Sequence, residues 1–102
     1  MIRGTTPTIE LELLNLKIDD IKSAYVTIKQ GDVEITKELD GGIQVDRENN
    51  ILRVKLTQKE TLRFCKKPVK VQLRAVLNND TVVASDIFTR EMEDVLLGGE
   101  IL

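Results

Sequence analysis

Val69-Lys70-Val71-Gln72-Leu73-Arg74-Ala75 alternates apolar with polar side chains without a break. A pleated strand turns successive side chains to opposite faces, so this period of two sets one row toward a core and the other toward water. The strand should continue to Leu77 and close on Asn78-Asn79-Asp80, a turn, with Thr81 to Thr89 returning as a hairpin partner. Val82, Ala84 and Phe88 are expected among the packing residues of that return. Its phase stays open, because Val83, Ile87 and Thr89 favour strand equally well.

The same beat recurs upstream. Met1 to Thr6 reads as a lead-in without pattern, and Pro7 is tolerated at the start of a strand. Thr8 to Leu14 follows, with Ile9, Leu11 and Leu13 on one face. Asn15 to Lys22 carries Asp19-Asp20 and reads as a turn or one short helical turn. Ser23 to Lys29 sets Ala24, Val26 and Ile28 inward, and Gln30-Gly31-Asp32 turns the chain into Val33 to Leu39. There Lys37 falls in phase with Val33 and Ile35, its stem able to lie on apolar surface while the charge reaches solvent. Asp40-Gly41-Gly42 is a turn, because glycine enters positive φ without a Cβ clash. Ile43 and Val45 then mark a short strand, and Leu52, Val54 and Leu56 form one face of Ile51 to Leu56.

Thr57-Gln58-Lys59-Glu60 has capping-box spacing, and Pro68 limits the helix that it opens. Leu62 and Phe64 are the residues expected to anchor this crossover. Arg90 to Leu97 reads as an edge strand or a short helix, and Gly98-Gly99 leaves the last residues loose unless a partner fixes them. The 102 residues contain no internal repeat or linker, which predicts a single domain over 1–102 with flexible terminal residues. Short strands at regular turn spacing predict an all-β chain, an immunoglobulin-like antiparallel β-sandwich with one or two short helical turns. A small barrel is the competitor. The Cys-Trp-Cys signature of true immunoglobulin domains is missing, so the likeness concerns architecture.

Chemistry is harder to find. The chain has no histidine, which removes the usual near-neutral acid and base. Its one cysteine, Cys65, cannot build a disulfide framework or a thiolate metal cage, and is expected as a small buried apolar residue despite Lys66 and Lys67 beside it. Asp19-Asp20, Asp46-Arg47-Glu48 and Glu91-Met92-Glu93-Asp94 are oxygen-rich, yet none has a calcium-loop pattern. The glycines sit in no phosphate or dinucleotide motif. No enzymatic activity, cofactor or metal is therefore expected. Fifteen basic against seventeen acidic residues give a net charge of -2, contrary to a nucleic-acid module. No apolar run reaches the length of a membrane span. Surface candidates for protein contact are Tyr25, Lys29, Lys55 and Arg74, each outward by strand phase, although not all need share a face.

Ile2-Arg3-Gly4-Thr5-Thr6-Pro7, Leu56-Thr57-Gln58-Lys59-Glu60-Thr61-Leu62, Val69-Lys70-Val71-Gln72-Leu73-Arg74 and Ala84-Ser85-Asp86-Ile87-Phe88 occur in that order. Together they resemble the N-terminal domain of phage baseplate upper proteins, which also occurs as small proteins in phages and prophages of Gram-positive bacteria. The resemblance implies a structural interaction domain, a tail or baseplate adaptor that anchors receptor-binding equipment. Its partners would be other phage tail or baseplate proteins, with a homo-oligomer as a further possibility. Synthesis in the bacterial host cytoplasm and assembly into a virion tail follow from it. The alternative is a soluble regulatory module that binds a host or phage protein. Neither reading involves nucleic acid or a membrane.

Overall fold

The computed structural model describes residues 1–101. Among these residues, eight strands form two antiparallel sheets packed face to face, with β1 (Thr8–Glu12), β4 (Ile43–Asp46) and β5 (Ile51–Lys55) in the smaller. The larger holds β2 (Ile21–Gln30), β3 (Val33–Glu38), β6 (Val69–Leu77), β7 (Val82–Ala84) and β8 (Phe88–Arg90). Strand order is β1-β5-β4 in one and β3-β2-β6-β7 in the other, with β8 also paired to β6. The two sheets remain separate, which decides for a sandwich over a barrel. Short helical pieces occur at Ile18–Asp20, a 3-10 turn, and at α1 (Gln58–Leu62).

Period two delivers the core it promised. Val26, Ile28, Leu52, Val54, Leu56, Val69 and Val71 are completely buried, from both sheets. Each such side chain contributes about 1.5–3 kcal/mol by leaving water. Lys70, Arg74 and Tyr25 point out, and Gln72 is half-buried. β2 and β3 meet at a two-residue turn between the paired Gln30 and Val33, where Gly31 takes φ +56. A positive φ there matches the twist of the strands it joins.

Links between strands are held by side chains that alternation does not reveal. Asn50, at φ 56, donates from Nδ2 to the carbonyls of Leu13 (2.8 Å) and Leu16 (2.7 Å). Its Oδ1 accepts the Ile18 N–H at 3.0 Å, so one asparagine orders the whole connection from β1 to β2. The crossover from β5 to β6 starts with the expected capping box. Glu60 N–H donates to Thr57 Oγ1 at 3.1 Å, and Thr57 N–H to Glu60 Oε1 at 2.8 Å. Thr57→Ala should destabilise the fold by about 1 kcal/mol in equilibrium unfolding.

Lys37 lies in phase with Ile35, as its position predicts, and its Nζ reaches Glu60 Oε2 at 2.7 Å. Gly42, at φ +109, leaves room for that stem: a Cβ there would stand 2.8 Å from Lys37 Cδ. Burial raises the Glu60 carboxyl, but Lys37 and the Thr57 N–H outweigh it and hold the group below its ordinary value. A carboxyl lowered on folding adds stability that is complete above its unfolded pKa and lost as pH falls through the folded one. Urea midpoints should therefore fall as pH drops below the ordinary value of 4.5. Glu60→Gln should make that acid slope shallower; an unchanged slope would remove Glu60 from the account.

The return strand differs from its expected form. It breaks into β7 and β8, and Val83 faces inward while Val82 and Ala84 are exposed. Leu77 N–H donates to Thr81 O and Ser85 N–H to Leu73 O, both at 2.8 Å, which sets Val83 opposite buried Ala75. Beyond Ala84 the register shifts. Gln72 and Leu73 on β6 span the interval that Ser85, Asp86 and Ile87 occupy on the other side, one residue more. This bulge reverses the phase, so Val83 and Phe88 both turn inward despite their odd separation.

The first strand also stops sooner, at Glu12, and the patternless lead-in has defined hydrogen-bond partners. Ile2 bridges Glu93, Arg3 N–H donates to Glu93 O at 2.9 Å, and Glu93 N–H to Met1 O at 2.6 Å. Arg3 donates to the carbonyls of Leu62 and Phe64 at the end of α1, and to Asp94 Oδ1 at 2.8 Å. Helix-end carbonyls lack partners within the helix, and a guanidinium supplies donors for them. From Glu91 to Ile101 the chain is neither strand nor helix, though Met92 is buried with the core. No helix among the described residues is long and apolar enough to cross a membrane.

Candidate interaction surface

Three of the four contact candidates meet on the outer face of the larger sheet. The β2–β6 register places Tyr25 directly opposite Arg74, and Lys29 opposite Lys70. On the other side of β2, Glu38 stands opposite Tyr25 and Glu34 opposite Lys29. Between these rows, Thr27 and Thr36 share a hydroxyl hydrogen bond at 3.0 Å. The face is thus ordered across its strands: acidic on β3, basic on β2 and β6, and aliphatic where Val82 and Ala84 on β7 continue it.

Among the described residues, Lys29, Lys70, Arg74, Glu34 and Glu38 make no ion pair. Lys29 and Lys70 are like charges directly opposed, an arrangement that weakens a sheet unless another group compensates. Tyr25 remains 40% exposed between Glu38 and Arg74, with its hydroxyl free of any intramolecular hydrogen bond among the described residues. An amphipathic ring beside an unpaired guanidinium is the composition that dominates protein contacts.

Lys55 lies elsewhere. It projects from β5, opposite Thr8 in the smaller sheet, and borders a cleft of about 630 Å³ between that sheet and α1. Lys70, Glu34 and Glu38, outward by strand phase, also belong to the assembled face, although phase alone did not group them with Tyr25, Lys29 and Arg74. Only the cross-strand register could have done so.

The other reactive-looking groups have internal uses. Cys65 is exposed rather than buried as expected, because it lies in the loop that Gln30 holds, its thiol 3.2 Å from Gln30 Oε1. Gln30 also bonds the Cys65 N–H and the Lys67 carbonyl, fixing the loop before β6. Hydrogen bonds from Asn49, then Arg53, hold the Asp46 carboxyl below its ordinary value. Arg3 and the Val95 N–H do the same for Asp94, and Asp19 pairs with Arg47. Among the described residues, no group of three histidine, cysteine or carboxylate side chains could hold a metal ion. No protein-family model, curated protein or solved structure matched the chain.

Proposed function

We propose that the chain is a non-enzymatic structural interaction domain of a phage tail or baseplate, docked on another tail protein through the outer face of β2, β3 and β6. The observation that carries the docking face is its set of uncommitted charges around Tyr25, with Lys29 set against Lys70. Carboxylates from a partner would relieve that opposition and give Arg74 a counter-ion. The phage assignment rests on the ordered sequence resemblance. Strand order supports an immunoglobulin-like reading: β1-β5-β4 corresponds to B-E-D, and β3-β2-β6-β7 to C′-C-F-G. If the domain forms a ring, the same patch recurs on each copy by symmetry.

Tail fractions from an induced lysogen provide the test. The protein should co-sediment with tails, whereas a stoichiometric complex with a soluble factor alone would favour the regulatory alternative. Tyr25→Ala and Arg74→Ala should each weaken the partner complex by about 2 kcal/mol. Both side chains are solvent-facing, so unfolding midpoints should barely move.

A further inference from the structure

The core is covered unevenly. Leu13, Leu16, Leu77, Val83 and Phe88 pack on it yet stay partly open, and all five line one groove of about 700 Å³. Strand count explains the gap. The smaller sheet ends at β1 while the larger continues through β7 and β8, so the last strands of the larger sheet lack a full opposing layer.

Free strand edges border the groove on both sides. Leu13 N–H donates to Asn50 O and Leu56 N–H to Pro7 O, each at 3.0 Å. Ladder alternation then turns the backbone groups of Thr8, Glu10 and Glu12 away from β5. On the opposite bank, the β6–β7 bonds leave the backbone of Val82 and Ala84 facing outward. An unpaired edge beside uncovered apolar side chains is the geometry of strand addition: main-chain bonds hold the guest and alternate side chains fill the groove.

We propose that this groove takes an extended segment of a partner protein in which aliphatic residues alternate with lysine or arginine, added beside β1 as a fourth strand of the smaller sheet. Charge selects that occupant. A guest strand sets its outward residues against Glu10 and Glu12, and Asp86 lines the far bank, with Arg90 the sole cation in the lining. Glu10 is shared with Arg53 at 3.0 Å, whereas Glu12 makes no ion pair among the described residues. Opposite charges across paired strands attract and like charges repel. The same rule opposes a second copy adding its own β1, since glutamate would meet glutamate. The inference stands on the groove alone and holds whether or not the chain belongs to a phage tail.

Isotope-labelled protein titrated with a short peptide alternating lysine and valine tests it. A glutamate–valine peptide and a lysine–valine peptide with a central proline serve as controls. Saturable binding of the basic peptide is expected, with shifts at the Thr8, Glu10 and Glu12 amides and at the Leu13 and Val83 methyls. Those three amides should also exchange more slowly. Both controls should bind at least about tenfold more weakly. Glu12→Lys, at an exposed position, should weaken the basic peptide about two- to fivefold and tighten the acidic one. The wild-type titration does not depend on that variant. The proposal is overturned if the basic peptide does not bind, if both charged peptides bind equally, or if the shifts map to another face. It is overturned too if the β1 amides become protected in the free protein as its concentration rises, which would give the groove to a second copy.

Discussion

Phe64→Ala is expected to lower the unfolding free energy by about 3–5 kcal/mol, measured by urea denaturation. Phe64 is the largest of the fully buried side chains, 1% exposed, and lies just past α1 where the chain crosses between sheets. Its ring removes the crossover from water while its backbone closes the helix, donating to Thr61 O at 3.3 Å and accepting from Arg3. Truncation leaves a cavity bordered by two sheets that are already in register, so little collapse can offset the loss. A cost under about 1 kcal/mol would mean that the crossover packs loosely.

Thr61→Val should cost about 2 kcal/mol although it conserves shape, because two part-buried backbone groups, the Gly4 N–H and the Thr5 carbonyl, lose their partner. Thr61 is the one buried polar residue among those described. Its hydroxyl accepts the Gly4 N–H at 3.0 Å and lies 3.0 Å from the Thr5 carbonyl and 3.1 Å from that of Gln58. The helix keeps its own ladder in the variant, whereas the lead-in loses its tie. Amides of Arg3 and Glu93 should therefore exchange faster than those of β2 and β6, since the segment would open locally before the sandwich does. Uniform acceleration throughout the chain would show that the lead-in and the core unfold together.

Sequence pattern revealed the sandwich because its central strands are regular. Val69–Ala75 alternates without a break, and the Thr57–Glu60 box announces its helix through local chemistry alone. The return strand was not legible in the same way. One extra residue between Ala84 and Phe88 reverses the phase, and no period-two reading can follow a bulge whose position is set by the facing strand. The contacts of the lead-in were not legible for a different reason. Arg3, Gly4 and Thr5 have no periodicity, and their order comes from contacts with Thr61, Leu62 and Phe64, far away in sequence. Met92 follows the same logic: an isolated methionine between acidic residues is buried beside the bridge from Ile2 to Glu93.

The interaction face was half visible. Strand phase showed that Tyr25, Lys29 and Arg74 point outward, but only register makes Tyr25 a neighbour of Arg74 and brings Lys70 against Lys29. It also separates Lys55, which the smaller sheet carries to the opposite side. The groove beside β1 was not legible at all, since it arises from unequal strand counts in the two sheets.

Lysine-reactive crosslinking of intact, purified tails tests the proposed docking most directly. Lys29 and Lys70 should crosslink to a second tail protein, and Arg74→Ala should deplete those crosslinks while the protein stays folded. Absence of the chain from tails, or crosslinks that leave only from Lys55 and the Lys66-Lys67 pair, would contradict both the docked face and the adaptor role.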